Sequence, residues 1–223
     1  MSADITGILR QTQLFSSVPA GEIEAIVSVS RLRTLRRGQV VFTTGDPGDT
    51  LLVVLSGRVK VVVRSADGSE LTLAIVRPGG VLGELSITDG GPRSADAETL
   101  DDCRLLFIPR VAIQDICSRV PSVALALARS LAATLRRLTE EASDLVFLDL
   151  PRRVAKVLLA QPRDDEGIIR QRVSQEQLAR QIGGSRPSVN VALRDFQRRG
   201  WIEMHDRSIA VKQVTALESF VGS

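Results

Sequence analysis

Between residues 32 and 109 the chain repeatedly starts and stops, and that rhythm narrows the choice of fold more than any other feature. Short apolar, β-branched runs at 40–42, 51–55, 59–63, 71–76 and 105–108 alternate with turn clusters. The clusters are Gly45-Asp46-Pro47-Gly48-Asp49, Ser56-Gly57, Asp67-Gly68 and Pro78-Gly79-Gly80. Regular strand–turn spacing of this kind predicts an antiparallel barrel or jelly roll. Asp67-Gly68 between two apolar runs is a hairpin signal. Upstream, residues 4–31 read as short helices around Leu14-Phe15.

From 111 to 148 the period changes. Leu131, Leu138 and Leu145 are seven apart, and Ala128, Leu135 and Ala142 interleave with them. This is a heptad seam of about three heptads, the length of a short two-stranded coiled coil. A long helix leaving a β-barrel has little of its own domain to lie on, so a parallel homodimer is expected. Asp149-Leu150-Pro151 then ends the helix, because proline lacks the backbone donor and disfavours a helical Leu150. Asp149 is placed to cap a following helix over 152–159. Residues 161–171 read as a polar loop or hairpin.

Charge divides at the same break. Residues 1–149 carry 16 Lys/Arg against 18 Asp/Glu, net −2, whereas residues 150–223 carry 13 against 8, net +5. Only the back of the chain is suited to a polyanion. There, Ser174-Gln175-Glu176-Gln177 forms a capping box for a helix ending near Ile182. Gly183-Gly184 makes a turn, Ser185 caps the next helix, and Pro187 fits its first turn, where backbone donors are unpaired anyway. That second helix runs to about Arg199. It has an apolar face of Val189, Ala192, Leu193 and Phe196. Arg186, Pro187, Asn190, Val191 and Arg194 lie opposite. This is helix-turn-helix geometry. Residues 200–202 and 209–211, around His205-Asp206-Arg207-Ser208, supply a β-hairpin wing.

The stretch Gly-Glu-Leu-Ser-Ile-Thr-Asp-Gly-Gly-Pro-Arg-Ser-Ala at 83–95 sets a glycine turn, a carboxylate, an arginine and a hydroxyl close together. That set can hold a cyclic sugar-phosphate. Backbone N–H groups near Gly83 and the Arg93 guanidinium can meet phosphate oxygens, and Glu84 can accept from a ribose hydroxyl.

Other chemistries find little support. The two cysteines, Cys103 and Cys117, read as reduced and largely buried. With one histidine, His205, a His-based zinc site is not expected. No convergent acid–base or metal set is visible, so no catalytic and no metal residues are assigned. No apolar run reaches the ~18 residues of a membrane span. The first residues lack a signal peptide's basic start and apolar core, so a cytoplasmic location is expected.

Taken with their spacing, these residues resemble the Crp/Fnr family of bacterial regulators, and the cyclic AMP receptor proteins within it. The resemblance covers nearly the whole chain. It rests on the glycine-punctuated barrel, Gly83-Glu84-Leu85 with Arg93-Ser94-Ala95, Leu145-Val146-Phe147-Leu148-Asp149 at the helix end, and Ser185-Arg186. It implies an α+β chain with a β-roll (jelly-roll) cyclic-nucleotide-binding domain over 1–115. A dimerisation helix over 116–149 and a winged helix-turn-helix over 150–223 would follow.

In that pattern Gly83, Glu84, Leu85, Arg93 and Ser94 contact the phosphate and ribose. Two adjacent polar residues on the dimer helix, one from each subunit, reach the base. The matching positions are Leu138 and Thr139, so only Thr139 keeps a hydroxyl. A hydroxyl at Ser94 would also suit a guanine amino group. Cyclic AMP therefore ranks first as effector and cyclic GMP second, with a regulator that ignores cyclic AMP as the alternative. At the DNA face, Arg186 matches the family's guanine reader. Pro187 replaces a common glutamate. Val191 replaces a common arginine and has only apolar contact to offer, for example to a thymine methyl. Asn190 could reach adenine, and Ser188 and Arg194 suit phosphates. Gln175 and Ser185 complete the implied DNA contacts. The implied partners are a palindromic operator, a second copy of the chain and RNA polymerase, with no membrane.

Overall fold

The computed structural model describes residues 2–66, 68–160, 169–171, 174–205 and 208–222. Asp67 of the expected hairpin turn, most of the 161–171 segment, and Asp206-Arg207 at the wing tip lie outside the described residues. The chain forms two compact units, Met1–Arg136 and Arg137–Ser223.

In the first unit α1 (Ser2–Gln11) and α2 (Ala20–Val29) precede β1 (Arg31–Leu35), β2 (Val40–Phe42) and β3 (Thr50–Ser56). Next come β4 (Val59–Arg64), β5 (Glu70–Val76), β6 (Val81–Leu82) and the short α3 (Glu84–Asp89). Then β7 (Asp96–Thr99), β8 (Cys103–Pro109) and α4 (Arg110–Arg119) lead to α5 (Pro121–Phe147), which runs on into the second unit. The strands form two four-stranded sheets in the orders β1-β8-β3-β6 and β2-β7-β4-β5. All their pairings are antiparallel, as the turn spacing predicts.

The central strand β3 explains how the core is built. Alternate residues of a strand point to opposite faces. On one face Leu51, Val53 and Leu55 pack with Leu9, Phe15, Ile23, Ile113 and Ile116 of the helical layer. On the other, Leu52 and Val54 meet Val59, Leu82, Ala97 and Leu105 of the sheet-to-sheet layer. A strand covered on both sides must be apolar at every position, and residues 51–55 are. The start of α5 joins the helical layer through Val123 and Leu127. Along its seam, by contrast, Leu135, Leu138 and Leu145 are 66%, 38% and 51% exposed within the chain.

The second unit contains the end of α5, α6 (Leu150–Leu159), β9 (Ile169–Gln171), α7 (Gln175–Ile182) and α8 (Arg186–Arg198). β10 (Ile202–His205), β11 (Ser208–Val211) and α9 (Val214–Gly222) complete it. Asp149 caps α6 as expected, its Oδ1 accepting from Arg152 N at 3.0 Å. β9 pairs with β11, so the wing is a three-stranded sheet, β10-β11-β9, rather than an isolated hairpin. The terminal helix α9 was not anticipated. Its Leu217 is buried in the core with Leu158, Phe196 and Ile202, while Phe220 stacks edge-on against Phe196 at 5.6 Å.

Candidate functional site

In the first unit, the close approach of Gly83 and Arg93 organises the cassette. Gly83 caps α3 with φ +83°, a left-handed conformation that glycine adopts without strain. A Cβ built there would fall 2.0 Å from Arg93 Nη1, so only glycine lets the guanidinium lie against the backbone. Arg93 is 4% exposed. Its Nη2 donates to Thr50 O at 2.8 Å and to Thr50 Oγ1 at 2.9 Å. Its Cζ lies 4.5 Å from the Phe42 ring centroid. Nε and Nη1 are buried and have no hydrogen-bond partner among the described residues.

Backbone pairing holds the arginine in register. Arg93 N donates to Asp46 O, and Gly45 N donates to Arg93 O, both at 2.9 Å. Two residues beyond Ser94, Asp96 Oδ1 accepts from Thr44 N at 2.7 Å and from Thr44 Oγ1 at 2.9 Å. Arg64 reaches Asp96 from β4, and a network of Arg64, Lys60, Glu70 and Glu98 ties β4, β5 and β7 together behind it.

Desolvation dominates the local electrostatics. Burial lowers the Arg93 pKa, while Asp49, Asp46 and Glu84 oppose that shift. An arginine stays charged even so. Burial pushes the Glu84 carboxyl above its usual range, against backbone N–H bonding and the pull of Arg93. A buried cation with uncommitted N–H donors suits a phosphate diester, whose oxygens accept charge-assisted hydrogen bonds. The residues present therefore fit a cyclic nucleotide at its phosphate end. Leu85 and Ser94 are exposed beside them. Leu138 and Thr139 lie on α5 in the second unit, and both are exposed. Sequence reasoning missed Thr50 and Phe42. Thr50 carried a weak signal, directly following a turn cluster, whereas Phe42 read only as a strand residue.

In the second unit, the helix-turn-helix forms as its caps predict. Ser174 Oγ accepts from Gln177 N at 3.1 Å, and Gln177 Oε1 accepts from Ser174 N at 3.0 Å, completing the capping box. Gly183 turns the chain with φ +65°. Ser185 Oγ accepts from Ser188 N at 3.2 Å and lies 2.8 Å from Ser188 Oγ. Val189, Ala192, Leu193 and Phe196 anchor α8 in the core. The opposite face stays outside, with Arg186, Pro187, Ser188, Val191 and Arg194 exposed and Asn190 half-buried. Gln175 is half-buried at the start of α7, and Ser185 is exposed. Arg198 and Arg199 are held by Asp195, and Arg180 by Glu176. Arg186 and Arg194 enter no ion pair among the described residues. No described helix is long and apolar enough alone to cross a membrane.

Known proteins share both halves. Residues 32–120 match the cyclic nucleotide-binding domain, and residues 152–220 match the Crp-like helix-turn-helix domain. The CRP-like cAMP-activated global transcriptional regulator of Mycobacterium tuberculosis is 37% identical over 210 residues, 92% of this chain and 94% of its own length. The chain belongs to the Crp/Fnr family. It is a Crp-like cyclic-nucleotide-binding transcriptional regulator with a DNA-binding helix-turn-helix. The Cyclic AMP receptor protein of Thermus thermophilus is 32% identical over 210 residues, covering 94% of this chain and 97% of that one. Among solved structures, the c-di-GMP responsive global regulator CLP of Xanthomonas campestris superposes with a TM-score of 0.76. It is 27% identical, with 86% of this chain and 99% of that one covered. The β-roll, long helix and C-terminal helix-turn-helix expected from the sequence are the family architecture.

Proposed function

We propose that the chain is a cytoplasmic, homodimeric, sequence-specific regulator whose DNA binding is switched by cyclic AMP, with cyclic GMP as second choice. The functional divisions are 1–115 for the ligand, 116–149 for the dimer and 150–223 for DNA. Gly83, Glu84, Leu85, Arg93 and Ser94 take the phosphate and ribose. Thr139, with Leu138 beside it, meets the base. Gln175, Ser185, Arg186, Pro187, Ser188, Asn190, Val191 and Arg194 meet a palindromic operator, and RNA polymerase is the downstream partner. The work is binding and not catalysis.

The supporting observation is Arg93, buried beside Gly83 with Nε and Nη1 uncommitted. Charge-assisted hydrogen bonds to such donors are worth about 1.5–3 kcal/mol each. Calorimetric titration with cyclic AMP, then cyclic GMP, tests the reading. One cyclic AMP per subunit is expected, weakened at least ~100-fold by Arg93→Ala. A preference for cyclic GMP would move base reading toward Ser94. A second reading, a regulator that does not respond to cyclic AMP, draws on Leu138, which offers no hydrogen bond at a base-reading position. Binding of neither nucleotide would establish it.

A further inference from the structure

Arg93 is an unusual buried cation, because no carboxylate pairs with it among the described residues. Burying an unpaired charge is costly, and something must hold the group in place. Thr50 supplies two oxygens, both to Nη2. Asp49, Asp46 and Glu84 favour its charge without forming an ion pair, and the direct contact that remains is Phe42, whose ring the guanidinium faces at 4.5 Å. An aromatic face is negative and attracts a cation, and a guanidinium stacks on it flat. A contact through the face of the group leaves its N–H groups free. Thr50 occupies Nη2, so the Nε and Nη1 hydrogens are what remain, with Nη1 alongside Gly83.

The backbone fixes this pairing. Phe42 is the last residue of β2, in register with Ala97 of β7. The turn after it pairs with Arg93 through Gly45 N and Asp46 O. Ring and guanidinium therefore sit on two adjacent, hydrogen-bonded segments.

We propose that Phe42 is a positioning residue for ligand binding. Its π face supports the Arg93 guanidinium where no carboxylate forms an ion pair with it, and leaves the Nε and Nη1 hydrogens available to phosphate oxygens. A leucine would fill the space without the negative face and would let the guanidinium turn toward water. The proposal rests on the cyclic-nucleotide reading above.

The test replaces Phe42 with 4-fluoro-, 3,5-difluoro- and 3,4,5-trifluorophenylalanine, which keep the ring's shape while draining its negative face. Cyclic AMP affinity, measured by calorimetry, should fall stepwise, by about tenfold in total at three fluorines. Phe42→Leu should fall at least as far, and Phe42→Tyr should stay within about threefold of the parent. Thermal unfolding of each variant shows whether the fold is intact. A flat series, within about twofold, in a parent that binds cyclic AMP would reduce Phe42 to packing and overturn the proposal, leaving the ligand reading standing. A parent that binds neither cyclic AMP nor cyclic GMP would overturn both.

Discussion

Glu84 and Asp96 carry opposite pH signatures on either side of Arg93. Burial raises the Glu84 pKa, so the folded chain holds its proton more tightly than the unfolded chain does. Its stabilising form is the protonated one. That contribution is complete below the unfolded pKa and lost as pH rises through the higher folded value. Where the group is ionised it costs stability, and the proposed ribose contact is what it gains. Glu84→Gln should therefore raise the unfolding midpoint of the ligand-free protein by about 1–2 °C. The same change should weaken cyclic AMP about tenfold, because a charge-assisted bond becomes a neutral one. Differential scanning and calorimetric titration read the two effects, and a lower midpoint with unchanged affinity would contradict the assignment. Asp96 works in reverse. Hydrogen bonding from Thr44 N and Oγ1, with the Arg64 pair, lowers its pKa against desolvation. Its contribution is present above the unfolded pKa and lost as pH falls through the folded one. Acid should thus loosen the β2–β7 side of the cassette, visible as a lower amide protection factor at Thr44 after correction for the intrinsic exchange rate at each pH.

Among elements, α8 makes the sharpest prediction. Val191 is 70% exposed and follows the exposed Pro187 by four residues, so the two stack on one helical face. Among the described residues of 150–223 it is the one strongly exposed large apolar side chain. An operator selected from random DNA should carry thymine opposite it, unlike a site read by an arginine there. Replacing that thymine with uracil removes only a methyl group. Affinity should drop about three- to fivefold for the parent and hardly at all for Val191→Ala, since a buried CH₂-sized group is worth about 0.8 kcal/mol. Equal losses in both proteins would remove Val191 from the reading face. A core change gives the control: Phe196→Ala should cost about 3–5 kcal/mol and unfold the domain.

The elements also show what could be read from sequence. β3 and β8 announced themselves because burial demanded apolar runs, and α7 and α8 because their caps need particular side chains. β1, with the sequence Arg-Leu-Arg-Thr-Leu, and β7, with Asp-Ala-Glu-Thr, were missed. They are strands through their partners β8, β2 and β4 rather than through their own patterns. The short α9 was missed for a similar reason, since its apolar side chains are explained by α6 and Phe196. At the site, Gly83, Glu84 and Arg93 share one segment and were legible. Thr50, 43 residues from Arg93, and Phe42 reach the arginine only through the sheet.

For the whole molecule, the exposed seam of α5 is the pivot of the account. Leu135 and Leu145 are more than half exposed, an apolar stripe that a second copy would cover. Leu135→Lys with Leu145→Lys should convert the proposed dimer to monomer in sedimentation, leaving each unit folded. A two-fold dimer matches a palindromic operator, and splitting it should cost most of the DNA affinity. Coupling between ligand and DNA requires the nucleotide to prefer the DNA-competent state, because equal binding to both states shifts nothing. The most direct measurement is the affinity for the selected operator by fluorescence anisotropy, with and without saturating cyclic AMP. The account predicts tightening of about 5- to 150-fold with ligand, abolished by Arg93→Ala. Equal affinity in both conditions, in a chain that binds the nucleotide, would contradict it.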